Sequence, residues 1–525
     1  MKLVHETSSS ATIRPYSPEE ALGLIVDLGL TKEDYITMRL GAKEREADIY
    51  PSYHVIAEAK RKCYPANIKI TENEAVVPLL DLLTHTIQRL AQVQADVILQ
   101  NISEDCDTIE VYYKWGLDGS GGHSIYKQNF ANNSEYADSN IILCTIVPLE
   151  MCESNGNNKK IYWKNTTPSS TRYCRPIRFK IKKENVQNMK EEYNEIQTQI
   201  LQLKATIIVL GTREIKFKHI PICTMLDGKT VNILTDTSSS QACNVCKATP
   251  RDLNDLEKQK NRVCDENTFK YGISILHAHL RCYEYLLHIA YKLELQQWQA
   301  RGENAKEKVK KRKSKIATEF YKEMGLVVDQ PKQGGGNSND GNTARKFFKN
   351  PSLVSQITGI DKELIERFSN ILSIISCGHY IKEEIFKKYC FETAQMAISL
   401  YGWYKMSASV HKLLIHGADI IKSLPLPVGQ LSEDVIETGH KEYKQLRQYH
   451  SRKTSRINTS NDIFNSMLVS SDPIVTSKRK KPNKNKTQFN EVVLSMLRLP
   501  TFCDGNDKGN GDQGSDDDDE DVDVE

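Results

Sequence analysis

No stretch of this chain approaches the ~20 consecutive apolar residues of a membrane-crossing helix, and Met1-Lys-Leu-Val-His-Glu opens it without the apolar core of a secretory leader. Both absences argue against membrane and exported classes. There is no internal repeat and no strand-GxxxxGK[ST]-helix phosphate loop. The nearest thing is the glycine-rich stretch 333–341, which leads into Asn342-Thr-Ala-Arg-Lys346 and would let backbone amides approach a phosphate. The 13 cysteines form no dense framework, so they are expected to be reduced thiols with metal binding as their special use.

What is present is size and charge. At 525 residues, 39% hydrophobic and 26% charged, the chain has room for two to four domains and a packed core. Its net charge of +3 hides a segregation: residues 504–525 hold eleven acids and one base, leaving 70 bases against 57 acids in residues 1–503. A basic body suits a polyanion, nucleic acid first, or is a solvated surface with no partner. Lys478-Arg-Lys-Lys-Pro-Asn-Lys-Asn-Lys486 reads as a nuclear-import signal, and the acidic tail after it as disordered.

Two distant stretches have the spacing of one metal site. Cys243-Asn-Val-Cys246 offers two thiols, and His411-Lys-Leu-Leu-Ile-His416 two imidazoles, the complement of a tetrahedral Zn²⁺. The competing readings are a redox pair, or buried thiols beside an unrelated helix with two histidines. On a regular α-helix, positions i and i+5 stand roughly 140° apart, so a shared ion requires an irregular turn or a helix end at the histidines.

Periodicity divides the rest. Ser17-Pro-Glu-Glu and Thr31-x-x-Asp34 mark helix starts, a basic helix carries Lys60, Arg61 and Lys62, and an amphipathic helix follows Pro78. From residue 107 the period becomes two: 108–117, ending in Asp118-Gly-Ser-Gly-Gly, then 141–148, 160–163 and a half-buried 176–182, before a helix through Val186, Met189, Tyr193 and Ile196. Strands in that order, with an acid at the tip of the first, are expected of a ribonuclease H-like α/β core. Residues 204–250 are β-like and 275–326 helical. Lys306–Lys315, with seven bases in ten residues, reads as a DNA-facing ridge or a solvated helix face.

Several of these stretches together resemble the large catalytic subunit of the V(D)J recombinase and the related Transib transposases. They are Cys243-x-x-Cys246-Lys-Ala-Thr, Leu276-His277, Gly341-Asn342-x-Ala344-Arg345-Lys346, His411-x₄-His416 and Glu437-Thr-Gly-His-Lys441, in that order over roughly residues 18–470. The resemblance implies an α/β plus α protein: a ribonuclease H-like core with a large, mostly helical, zinc-stabilised insertion. It implies a helical dimerisation and DNA-binding unit at 1–55, a helical linker region at 56–104, the core at 105–215, the CxxC segment at 216–274, the HxxxxH segment at 275–437, a basic helix region at 438–470 and a tail at 471–525. Zinc on Cys243, Cys246, His411 and His416 would be structural, since four protein ligands leave no open position.

The family cuts and joins DNA with three carboxylates holding two Mg²⁺ or Mn²⁺ ions. Asp118 matches the first and Glu437 the last, with Lys441 and Lys444 four and seven residues on as a phosphate-facing stripe; Arg345 and Lys346 are further expected DNA contacts. The departure is the second acid, where Lys183 stands. Glu184, one residue on, serves if the strand end bulges or turns to restore its aim, or simply starts the following helix. A scaffold that keeps the fold and has lost catalysis is therefore the alternative. A second departure is that the chain begins almost at the dimerisation unit, so the family's sequence-specific reading of ends is expected to be lost, or to come from a partner subunit, or the chain is a fragment of a longer product. The resemblance further implies a nuclear homodimer, acting with a second recombinase subunit, and no membrane.

Overall fold

The computed structural model describes residues 14–123, 130, 139–155, 158–331, 337–480 and 488–499. The middle of the glycine-rich stretch, most of the import signal and the acidic tail lie outside them. Three short helices open the described chain: α1 (Pro18–Leu28), α2 (Lys32–Lys43) and α3 (Tyr53–Arg61). Both expected starts are reciprocal capping boxes, Ser17 with Glu20 and Thr31 with Asp34, each satisfying two otherwise orphaned amides. These helices enclose a small core of Ala21, Leu22, Tyr35 and Ile56 that is completed by Val469 and Val475 from the far end of the chain.

The segment expected as a helical linker also adds strands. β1 (Lys69–Ile70) and β2 (Glu74–Val76) precede the long α4 (Leu79–Asn101) and extend a mixed sheet. The other strands are β3 (Thr108–Ser120), β4 (Ile141–Asn155), β5 (Asn158–Lys164), β6 (Arg175–Lys180), β7 (Thr206–Leu210) and β8 (Arg213–Met225), in the order β1-β2-β6-β4-β3-β8-β7, with β5 paired to β4. β3 runs antiparallel to β4 and parallel to β8. At a register shift Gly116 lies against β8 so closely that a Cβ there would stand 1.8 Å from the Met225 carbonyl oxygen, so only glycine fits.

β6 corrects one expectation. Its alternation of apolar and basic residues looks half-buried, yet it lies between β2 and β4 with both faces covered. Helix α5 (Val186–Leu201) makes this possible, because Arg178 Nη1 donates to Glu192 Oε2 at 2.7 Å and also pairs with Glu195, while Lys180 Nζ reaches Glu192 Oε1 at 3.0 Å. Removing one partner of such a buried pair costs about 3–5 kcal/mol, because the other charge is stranded.

After β8 the chain is mostly helical: α6 (Gly228–Leu234), α7 (Leu256–Lys260), α8 (Ile275–Lys292), α9 (Glu303–Met324), α10 (Gly341–Lys349), α11 (Pro351–Thr358), α12 (Lys362–Ser376), α13 (Glu383–Tyr401), α14 (Ala408–His411) and α15 (Gly417–Ser423). Their core surrounds Cys282, Tyr283, Phe320, Phe347, Phe368 and Phe386. The basic run on α9 is a solvated face in part, with Lys306 on Glu303 and Lys311 on Glu307, and in part internal glue, with Arg312 donating to the Ala290 and Thr358 carbonyls. α16 (Asp434–Tyr449) and α17 (Arg456–Ser470) return to the sheet, where Tyr443 and Phe464 both stack edge-on against Phe179 of β6. No described helix is long and apolar enough to cross a membrane.

Candidate metal centre and carboxylate cleft

Cys243 and Cys246 lie on a tight loop between α6 and α7. Cys243 N donates to Ala248 O, Lys247 N to Cys243 O, and Lys247 takes a left-handed φ of 56°. The histidines come from the junction of α14 and α15, where Lys412–His416 is one π-helical turn. That wider turn brings i and i+5 to one side, as a shared ion requires, and leaves the two rings 5.2 Å apart. One ligand atom from each of the four residues lies within 4.8 Å of all the others, and all four residues are buried. Asn254 ties the two segments together, donating to Tyr404 O and accepting from Met406 N, both at 2.9 Å.

The chemistry of this cluster fits a metal ion such as zinc. A hydrogen bond from the Cys246 thiol, with His416 and His411 close by, pushes Cys243 down, and Cys243 and burial push Cys246 up. Burial lowers His411 to about 4 and keeps it a neutral imidazole, the form a metal binds. His416 Nε2 is buried without a hydrogen-bond partner, while its Nδ1 lies 3.6 Å from the thiol of Cys264. A ligand histidine held through its other nitrogen is the usual second contact of such centres. The sequence pattern missed Cys264, which stands 18 residues beyond Cys246 with no spacing signal.

Of the three expected acids, Asp118 and Glu437 are brought near one another, and Glu184 stands beside the strand end that carries Asp118. Asp118 is near the end of β3. Glu184 lies in the turn between β6 and α5, and it is the side chain that packs over Gly119: a Cβ on that glycine would meet Glu184 Cβ and Cγ at 2.7 Å. Lys183 instead faces solvent. Glu437, in the first turn of α16, is exposed. The burial around it raises its carboxyl to about 7; His277 pulls against this, while Asp118, Glu433 and Asp434 add to it. Such crowding of like charge is relieved by a cation. Glu184 already has one, since Lys229 Nζ lies 2.9 Å from its Oε1.

Around these acids stand Glu433, which carried no spacing signal, and two histidines from the matched stretches. Buried Glu433 accepts from Ile275 N at 2.9 Å, from Ser274 Oγ and from His277, so it caps the N-terminus of α8 from 158 residues away. Burial disfavours the charged form of His277, but the hydrogen bond and charge of Glu433, with Glu437 and Asp227, raise it to about 9. His440 Nε2 lies 3.3 Å from Asp118 Oδ2. Of the expected DNA contacts, Lys346, Lys441 and Lys444 are exposed, whereas Arg345 donates to Asp434 Oδ2 at 2.8 Å and so braces the start of α16.

No protein-family model matches the chain, and no curated protein does. Among solved structures, the chain is similar to one titled "Drosophila P element transposase strand transfer complex", at 8% identity, covering 88% of this chain and 92% of that one, with a TM-score of 0.32. That score is too low to transfer a fold or a function.

Proposed function

We propose that this protein is a DNA-processing protein of the transposase and recombinase type, with a carboxylate cleft that cuts phosphodiesters and a zinc centre that holds its helical segment together. The observation that carries the reading is that Asp118, at the end of β3, and Glu437, on α16, are brought close enough for the one to raise the other, with His440 beside Asp118; Glu184 lies over the neighbouring Gly119, on the other face of the strand. The mixed sheet, with β3 antiparallel to β4 and parallel to β8 and α5 packed beside β3, supports a ribonuclease H-like core. The buried Cys243, Cys246, His411 and His416 support zinc in a structural role.

Mg²⁺ or Mn²⁺ in the cleft would activate water or a 3′-hydroxyl and stabilise the leaving oxygen of an in-line displacement. Asp118, Glu437 and Glu184 supply the oxygens, His277 offsets part of their charge, and exposed Lys441 and Lys444 on α16 offer phosphate contacts. Arg345 is reassigned from a DNA contact to a brace for α16. Homodimerisation through the N-terminal helices, a second subunit, and nuclear residence belong to the same proposal, on the resemblance alone.

A scaffold without catalysis is the second reading, and the Lys229–Glu184 pair favours it, because a cation must displace that ammonium. Nicking of supercoiled DNA in Mn²⁺ separates the two. Activity of the natural chain that Glu437→Gln abolishes supports cutting. An inert natural chain beside an active Lys183→Asp variant supports the scaffold.

A further inference from the structure

His440 sits one turn beyond Glu437 on α16, only 8% exposed, and neither of its ring nitrogens has a hydrogen-bond partner. A buried imidazole left without partners is unfavourable unless something occupies it. Its Nε2 is 3.3 Å from Asp118 Oδ2, close enough to interact, yet the two are not aligned for the ring N–H to donate to the carboxylate. Two such donors side by side, neither satisfied by the other, form one edge of a coordination shell. Adjacent ligands of an octahedral divalent ion at about 2.1 Å stand about 3.0 Å apart, so a shift of a few tenths of an ångström brings this pair onto a common ion.

We propose that His440 and Asp118 are adjacent ligands of one divalent cation, in a mixed nitrogen–oxygen site that takes first-row transition ions in preference to Mg²⁺. Imidazole binds such ions well and Mg²⁺ poorly, whereas carboxylates alone accept both. Glu437, water and a phosphate oxygen of the nucleic acid are left for the remaining positions. The site rests on the nuclease reading only in taking Asp118 as a ligand; it asks nothing of the reaction itself.

The test is Mn²⁺ binding to the full, zinc-loaded chain without DNA, followed by electron paramagnetic resonance, with ¹⁴N modulation of the bound Mn²⁺ as the signature of a ring nitrogen. The natural chain is expected to bind Mn²⁺ with that modulation and to need at least about tenfold more Mg²⁺ for displacement. His440→Ala is expected to lose the modulation and about 10–100-fold in affinity. His440→Asp, which replaces the nitrogen with oxygen, is expected to bind Mn²⁺ without modulation and to let Mg²⁺ compete on nearly equal terms, a result that misfolding would not give. Unchanged affinity or persistent modulation in His440→Ala overturns the proposal, as does absence of Mn²⁺ binding to the natural chain at millimolar concentration. Failure of the nuclease reading looks different: nitrogen-ligated Mn²⁺ with no nicking defeats cutting and leaves this site standing, whereas nicking without nitrogen ligation does the reverse.

Discussion

The Cys2His2 cluster and the carboxylate cleft are both assembled from segments far apart in sequence, but they are built to opposite standards. The first is buried, its four donors close around one point, and its neighbours, Asn254 and Cys264, hold the segments and a ring in place. In the second Glu437 is exposed and raised by the nearby Asp118, Glu433 and Asp434, and Glu184 is already paired with a lysine. A closed donor set stores its binding free energy in folding, whereas an open one leaves positions for a substrate.

The largest expected effect breaks the closed half. Cys243→Ser should lower metal content from about one zinc per chain to none and remove most of the cooperative unfolding of the helical segment, since structural zinc is worth about 10–16 kcal/mol against total stabilities of about 5–15. Metal analysis and calorimetry check it; a folded, metal-free natural chain would reduce the cluster to ordinary core.

At the wall between the halves, His277 is raised to about 9 from an ordinary 6.5. A raised histidine contributes stability that is whole below about 6.5 and is lost as pH climbs through 9, here up to about 3 kcal/mol. Thermal melts of the natural chain should therefore fall across that window, and those of His277→Gln should fall less.

Two smaller changes sharpen the open half. Gly119→Ala places a methyl where Glu184 now lies, so nicking should drop at least tenfold while the melting temperature moves little. Lys229→Met releases Glu184; the lysine side chain is 61% exposed, so the stability change should stay under about 1 kcal/mol. Divalent-ion affinity should rise in that variant, and an unchanged affinity would remove Lys229 as an obstacle.

Much of this was legible from local pattern. The capping residues announced α1 and α2, and the i, i+5 spacing of His411 and His416 called for an irregular turn or a helix end, which the chain meets with a π turn. Tertiary partners were not legible. β6 reads as half-buried because nothing in its own residues reveals that Glu192 and Glu195 will neutralise Arg178. Arg345 reads as a phosphate contact until Asp434, 89 residues on, claims it. His440 was within reach of periodicity, three residues past Glu437 on one helical face, whereas Lys229 and Glu433 act through contacts that no short motif encodes.

The core of the N-terminal helices also bears on how the chain is made. Val469 and Val475 close that core, buried Arg89 on α4 pairs bidentately with Asp472, and Asp27 at the end of α1 accepts from Arg479 Nε at 2.6 Å. During synthesis the first helices leave the ribosome long before those partners exist. At about 5–20 residues per second they wait tens of seconds with apolar surface uncovered. Helices α1 to α3 are thus among the last parts to finish folding, and a ribosome stalled before residue 470 leaves those helices as a ready substrate for chaperones.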